Sequence, residues 1–321
     1  QPGTFEHAIH YLVSEKLDLS VFDDVYRNDE TGRPAYDPAI LLKIVLFAYS
    51  KGITSSREIQ WCCETNIIFK ALSCDTVPHF TSIANFVSHY PKQIEAVFEQ
   101  ILLVCDEQGI LGKDLFAIDG CKMPSDASKE WSGTFKELEA KRKKLRQQIR
   151  THLAEQQRLD EHESCDDARV QRHEQTIKTL SDAADKIDNF LKTQRPRMGQ
   201  GRRPSEVKSN ITDNESAKMK TSKGTIQGYT GVATVDQKHQ VIVDAQAFGA
   251  GQEQPMLVPV LEKVAARFRQ LTGTPNIYAD GVIVTADTGF ATEDNIAYLH
   301  THDIDAYIPD HKFRQRDARF S

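Results

Sequence analysis

The sequence predicts an α/β protein, with a mixed sheet in its second part and an all-helical domain before it. Two apolar runs, at residues 115–119 and 282–287, have the length of buried strands, and each closes on an aspartate. Between and after these runs, β-rich stretches alternate with amphipathic helical spacing, whereas the N-terminal part carries only helical signals. We therefore predict a helical domain over residues 1–110 and a sheet-containing domain over residues 111–321.

Capping residues and apolar spacing predict short helices in the first domain. Asp37 and Pro38 have the chemistry of an N-cap and a first helical position, and an apolar helix follows until Gly52. Further helices are predicted to begin near residues 54 and 81. Two interpretations are open, a helix-turn-helix DNA reader and a generic helical bundle with a solvated polar face. The side chains that would reach DNA in the first case are His79, Asn85, Ser88 and His89.

A helical hairpin of coiled-coil type is predicted as an insertion over about residues 130–200, with its turn near residues 164–167. Residues 136–150 carry seven basic and two acidic side chains, and a second basic stretch follows the hairpin. Such runs are either solvated faces or tracks for phosphates. We favour a track, because both runs converge beside the strand-end aspartates. The candidate DNA-binding residues are Lys141, Arg142, Lys143, Lys144, Arg195, Arg197, Arg202 and Arg203.

Asp119 and Asp287 are the candidate catalytic and metal-binding residues. Each is predicted to end a strand, and open α/β sheets bind their ligands at the carboxyl ends of strands. Two neighbouring carboxylates either share a proton or hold a divalent metal ion. The alternative is a pair of polar strand ends that cap adjacent turns.

Four other residues have two possible roles each. Asp213, Glu215 and Asp244 are either supporting groups around the aspartates or surface residues, and we favour the surface. Trp131 is either a platform for an unpaired base or a core aromatic, and we favour the core.

Bulk composition narrows the function classes. A formal net charge of −6 excludes a uniformly basic protein, so nucleic-acid contacts must come from local basic patches. The longest apolar stretch is too short for a bilayer, and no signal peptide is evident. The six cysteines have no paired spacing, which favours reduced thiols and a cytoplasmic location.

Five short phrases occur in order along the chain. They are Gly32-Arg33-Pro34-Ala35-Tyr36-Asp37-Pro38, Phe116-Ala117-Ile118-Asp119-Gly120, Lys220-Thr221-Ser222-Lys223-Gly224, Ile226-Gln227-Gly228-Tyr229 and Ala286-Asp287-Thr288-Gly289-Phe290. Together with the element order and the strand-end aspartates, they resemble the DDE transposases of bacterial insertion sequences. The resemblance covers nearly the whole chain. It implies a ribonuclease H-like catalytic domain, in which the first and fourth strands lie side by side, with a coiled-coil insertion and a helical DNA-binding domain before it.

By this resemblance, Asp119 and Asp287 are the first two acids of a metal-binding triad. The implied cofactor is Mg²⁺, with Mn²⁺ as a possible substitute, because hard cations prefer carboxylate oxygens. The implied partners are the terminal inverted repeats of an element and its target DNA, which a homodimer would hold together without any membrane. The implied location is the bacterial cytoplasm, in association with the nucleoid.

The resemblance breaks at the third acid. The family places a glutamate in a Tyr-x2-Arg-x3-Glu pattern, whereas Glu293 is the one glutamate after Asp287 and lies at a predicted helix start. We therefore expect a truncated or decayed transposase in which these residues alone cleave DNA poorly. Two alternatives remain, a DNA-binding protein without catalysis and a ribonuclease H-like nuclease or resolvase.

Overall fold

The computed structural model describes residues 1–25, 35–160, 167–199 and 204–320, with only the backbone described at 159–160 and 167–170. It confirms the predicted α/β class, with a mixed sheet and a helical N-terminal region. The chain divides into two compact units, Gln1–Gly112 with Gln270–Thr274, and Lys113–Arg269 with Pro275–Ser321. No helix within the described residues is long and apolar enough to cross a membrane.

The first unit is a bundle of short helices. The predicted helices are present, and the one after Pro38 begins as expected, because the Asp37 side chain accepts a hydrogen bond from the Ala39 N–H at 2.7 Å. Its apolar face packs into an aromatic core, in which Phe22 stacks on Phe86 at 5.5 Å between ring centroids. The helices are α1 Phe5–Tyr11, α2 Pro38–Ser50, α3 Ser56–Thr65, α4 Ile67–Leu72, α5 Phe80–His89 and α6 Pro91–Glu107.

The second unit combines a sheet with a long helical hairpin. Its strands are β1 Leu115–Pro124, β2 Ser132–Gly133, β3 Arg197–Met198, β4 Glu206–Val207, β5 Ser209–Asn210, β6 Ala217–Thr221, β7 Gly224–Asp236, β8 Ile242–Phe248, β9 Ile283–Ala286 and β10 Ala306–Tyr307. Its helices are α7 Phe135–Asp160, α8 Asp167–Thr193, α9 Leu257–Thr272, α10 Glu293–Thr301 and α11 Phe313–Arg316.

The main sheet is mixed and has six strands. Its order is β10-β9-β1-β7-β6, and β8 pairs with the other part of β7. β9 runs parallel to β1 and β10, whereas β7 runs antiparallel to β1, β6 and β8. Strand β6 was not predicted from the sequence. Asp119 was predicted to end its strand, but β1 continues beyond it, because the long strand β7 pairs with β1 as far as Pro124.

Helix α9 covers one face of this sheet. Val260, Val264 and Phe268 recur at helical spacing and are fully buried, and Phe268 stacks on Phe116 of β1 at 5.5 Å. On the same helix, Arg267 is buried and forms an ion pair with the buried Asp244 of β8 at 2.9 Å. The helix therefore ties β1 to β8 through the core.

Helices α7 and α8 form the predicted hairpin. Leu138, Ile187 and Phe190 are its buried centre near the sheet. The predicted turn near residues 164–167 lies outside the described residues except for position 167.

Candidate active site

Asp119 and Asp287 each follow the last paired residue of two neighbouring parallel strands. The register of β1 and β9 ends with Ile118 opposite Ala286, so Asp119 is the next residue of β1, and Asp287 is the first residue after β9. Both side chains are exposed, although the residue before each is buried. Both aspartates therefore lie where the pairing of β1 with β9 ends, at one edge of the sheet.

Each aspartate is oriented by bonds to its own local backbone. Asp119 Oδ1 accepts the N–H of Gly120 at 2.8 Å. Asp287 Oδ1 accepts the N–H of Thr288 and also its hydroxyl, the latter at 2.9 Å. Within the described residues, neither Oδ2 atom has a hydrogen bond and neither carboxylate has a basic partner. One oxygen of each carboxylate is therefore available to a ligand.

A third carboxylate, which the sequence did not point to, lies against the backbone of this site. A Cβ atom placed on Gly120 would lie 3.0 Å from Glu253 Oε1, and one placed on Gly289 would lie 2.5 Å from Oε2. Glu253 therefore lies next to Gly120, which follows Asp119, and next to Gly289, which is two residues after Asp287. Its half-buried side chain has no ion pair with another described residue. The glycines permit this approach because they have no side chain.

The donor chemistry of this end of the sheet fits a hard divalent cation. No group of three or more His, Cys, Asp or Glu side chains is close enough to hold a metal ion within the part of the chain that the structure describes. Mg²⁺, however, usually keeps several waters and is held by one or two carboxylates together with substrate phosphates. Asp119 and Asp287 provide two such carboxylates.

Several of the candidate DNA-binding cations are already bound within the protein. The Arg197 guanidinium donates to the carbonyl oxygens of Asn214, Ser216 and Gly249. The sequence has no signal for these bonds, because their acceptors lie up to 52 residues away. Arg197 therefore holds the chain between the hairpin and the sheet.

Two of the candidate cations on α7 are also bound within the protein. Arg142 binds Asp188 of α8 in an ion pair. Lys141 Nζ lies 4.1 Å from the ring centroid of Trp131 and donates to the Glu130 carbonyl, and burial lowers the pKa of this lysine.

The remaining candidates are less constrained. Lys143 has one exposed pair with Glu139 at 3.4 Å, a kind of contact that contributes little. Lys144 and Arg195 are exposed, with no intramolecular ionic or hydrogen-bonding partner among the described residues. Arg202 and Arg203 lie outside the described residues. Phosphate binding by all of these residues stays a prediction.

The structure gives Asp244 a role other than the one favoured from the sequence. Asp244 is fully buried and paired with Arg267, so its interpretation as a surface residue is wrong. A sequence cannot reveal a cation on a helix that packs against the strand. Asp213 accepts the hydroxyl of Tyr229 at 2.7 Å, and burial together with this bond raises the pKa of Tyr229 to about 12.

Trp131 packs against the core of the hairpin, as favoured from the sequence. In the first unit, His79 caps α5 by accepting the N–H of Thr81. Of the polar residues proposed to reach DNA there, His79 thus has a local structural role.

Comparison with known proteins bears on the first unit. Residues 1–89 match the model of a family described as a transposase domain (DUF772). The match covers 89 of the 321 residues and supports a transposase, a class of DNA-cleaving enzyme. No curated protein and no solved structure matches the chain.

Proposed function

We propose that this protein is a DDE-type DNA transposase, which binds the terminal inverted repeats of an insertion sequence and catalyses metal-dependent strand cleavage and transfer. The observation that carries the proposal is the parallel pairing of β1 with β9, which ends at Ile118 and Ala286, the residues directly before Asp119 and Asp287. The transposase-domain match over residues 1–89 supports it independently, because that match lies outside the sheet.

Asp119 and Asp287 would hold Mg²⁺, or Mn²⁺ in its place, through their outward-facing carboxylates. The local bonds from Gly120 and Thr288 fix one oxygen of each group and leave the other for a cation. When bound, divalent ions activate the attacking oxygen and stabilise the leaving oxygen of a phosphodiester. Both aspartates are exposed, so a DNA strand has access to them.

Glu253 would support the two aspartates from its position against Gly120 and Gly289. Its carboxylate lies against Gly120 and Gly289, which are close in sequence to the two aspartates, and it has no ion pair with a described residue. The Tyr-x2-Arg-x3-Glu pattern of the DDE transposases that the sequence resembles does not occur after Asp287. We therefore expect these residues alone to cleave DNA poorly, with binding as the more robust readout.

DNA would be the partner, and two copies would be needed to hold both ends of an element. Lys144 and Arg195 are the predicted hairpin cations best placed to bind phosphates, because both are exposed and have no partner in the described chain. The net charge of −6 makes this contact dependent on local patches.

The test is DNA binding measured with and without Mn²⁺ by fluorescence anisotropy. The DNA is a duplex with the sequence that flanks the gene, and a scrambled duplex serves as the comparison. We expect Mn²⁺ to tighten binding by the native chain but not by D119N/D287N, since a metal ion links carboxylates to phosphates. D280N/D303N, which removes two exposed carboxylates elsewhere, should behave as the native chain does.

Other outcomes point elsewhere. Binding to the flanking sequence that is indifferent to Mn²⁺ in every variant would favour a DNA-binding protein without catalysis. Preference for branched over linear DNA would favour a resolvase. Failure to bind any DNA would contradict the proposed function.

A further inference from the structure

A cleft of about 700 Å³ opens directly beside the candidate active site. It lies between the last part of β1 and the turn that joins β6 to β7, and Gly120 and Glu253 form one end of it. Lys122, Lys220 and Lys223 line the remainder, and we call it the lysine cleft. The lysine cleft thus reaches Gly120, the residue that follows Asp119, although neither aspartate lines it.

The charge of the lysine cleft is not neutralised by the protein. All three lysines are exposed, and their ammonium groups have no ion pair or hydrogen bond within the described residues. Among the described residues of the lining, Glu253 is the only acidic one, so three positive charges face one negative charge there. This contrasts with Lys141, Arg142 and Arg197, whose side chains are bound internally.

The lining is suited to phosphates rather than to bases. The other polar side chains are the hydroxyl of Ser222, which can donate to a phosphate oxygen, and that of Thr221, which donates to the Gly224 carbonyl at 2.9 Å. The part of the lining that the structure describes contains no aromatic side chain, whereas pockets for unpaired bases use aromatic platforms. Lysine and hydroxyl groups recognise a nucleic-acid backbone without reading its sequence.

The three lysines lie on different parts of the sheet. Lys122 is three residues beyond Asp119 on β1, and its partner in the register is Thr230 of β7. Lys220 lies on β6, which pairs with the other edge of β7, and Lys223 lies in the following turn. The lysine cleft therefore extends from Gly120 past Lys122 and across the sheet to the β6–β7 turn.

We propose that the lysine cleft holds the phosphate backbone of the DNA strand that enters the Asp119–Asp287 site. This inference rests on the proposed function, because it takes DNA as the substrate. It adds Lys122, Lys220 and Lys223 as positioning residues, which act by placing the strand and not by taking part in the reaction.

The first test is the salt dependence of DNA binding, measured by fluorescence anisotropy on the native chain and two triple variants. Each phosphate contact adds about 0.9 to the slope of log affinity against log salt on duplex DNA. K122A/K220A/K223A should therefore lower the slope by roughly 2 to 3. The matched control K178A/K186A/K312A removes three exposed lysines elsewhere and should leave the slope unchanged.

The second test needs no variant. Lysines of the native chain are acetylated with and without DNA, and also with inorganic phosphate at the same phosphate concentration, and are mapped by mass spectrometry. We expect DNA to protect Lys122, Lys220 and Lys223 and to leave Lys178 and Lys312 reactive, with no protection by inorganic phosphate.

The outcomes separate this proposal from the one on which it rests. A native slope in K122A/K220A/K223A, with the three lysines unprotected by DNA, overturns the lysine cleft while the proposed function stands. Equal protection by inorganic phosphate also overturns it, since the cleft then binds free phosphate. Protected lysines in a chain whose binding ignores Mn²⁺ support the lysine cleft and contradict the metal-dependent function. A chain that binds no DNA overturns both.

Discussion

The sheet-containing unit has two kinds of carboxylate. Asp244 is fully buried and bound to Arg267, and Asp188 of the hairpin accepts from Lys192 and Arg142. Asp119 and Asp287, in contrast, are exposed and have no basic partner within the described residues. A carboxylate with a cation of the same chain contributes to folding, whereas one without such a cation is available to a ligand.

The largest change is expected at Asp244. D244N leaves the Arg267 guanidinium buried without its charge partner, and breaking a buried pair in this way costs about 3–5 kcal/mol. Chemical denaturation of the full chain measures this loss. The matched double variant D244L/R267M replaces the pair by apolar side chains and should recover most of the stability. If D244N is as stable as the native chain, the distinction between the two kinds of carboxylate fails.

A smaller change is expected at Asp188. Lys192, at 2.6 Å, and Arg142 hold the pKa of this carboxyl below its usual value. A folded-state pKa that is lowered contributes stability above the unfolded value, near 3.9, and the contribution is lost as the pH falls through the folded value. D188N should therefore be less stable than the native chain at pH 7.

The difference between D188N and the native chain should disappear in acid. Thermal unfolding followed by circular dichroism between pH 7 and pH 2, values that bracket the unfolded pKa near 3.9, would show this convergence. N189A, a neighbouring change on α8, is the control and should show no such dependence on pH. A gap that stayed constant throughout this range would contradict the ion-pair interpretation.

The smallest change is expected at the candidate site. D119N, D287N and E253Q should each alter the free energy of unfolding by less than about 0.5 kcal/mol, because none of these carboxylates has a basic partner among the described residues. Chemical denaturation again provides the measurement. A loss comparable to that of D244N would show that these residues serve the fold and would weaken the proposed site.

The sequence was sufficient for the part of the site that depends on short apolar runs. The runs before Asp119 and Asp287 predicted two strands, and the resemblance placed them side by side, as the register of β1 and β9 has them. Glu253 could not be found in this way, since it precedes α9 in an irregular segment and reaches the site only through the packing of that helix.

The basic runs in the sequence were also a poor guide to which cations are available to a ligand. The dense basic run on α7 includes Arg142, whose partner Asp188 is 46 residues away and cannot be inferred from local composition. The lysine cleft, by comparison, draws on single lysines from β1 and from the β6–β7 turn. Strand β6 was missed because it is short, yet Ala217 and Met219 alternate with two lysines before Gly224, a usable signal for a hairpin.

The most direct test of the central claim is Mn²⁺ binding to the full chain, followed by electron paramagnetic resonance. We predict that the native chain and D280N/D303N bind Mn²⁺ with the same affinity and that D119N/D287N loses this binding. E253Q should weaken this binding to a smaller extent, because it removes a negative charge next to Gly120 and Gly289. Equal binding by the native chain and D119N/D287N, or no binding by either, would contradict the assignment of Asp119 and Asp287 as metal ligands.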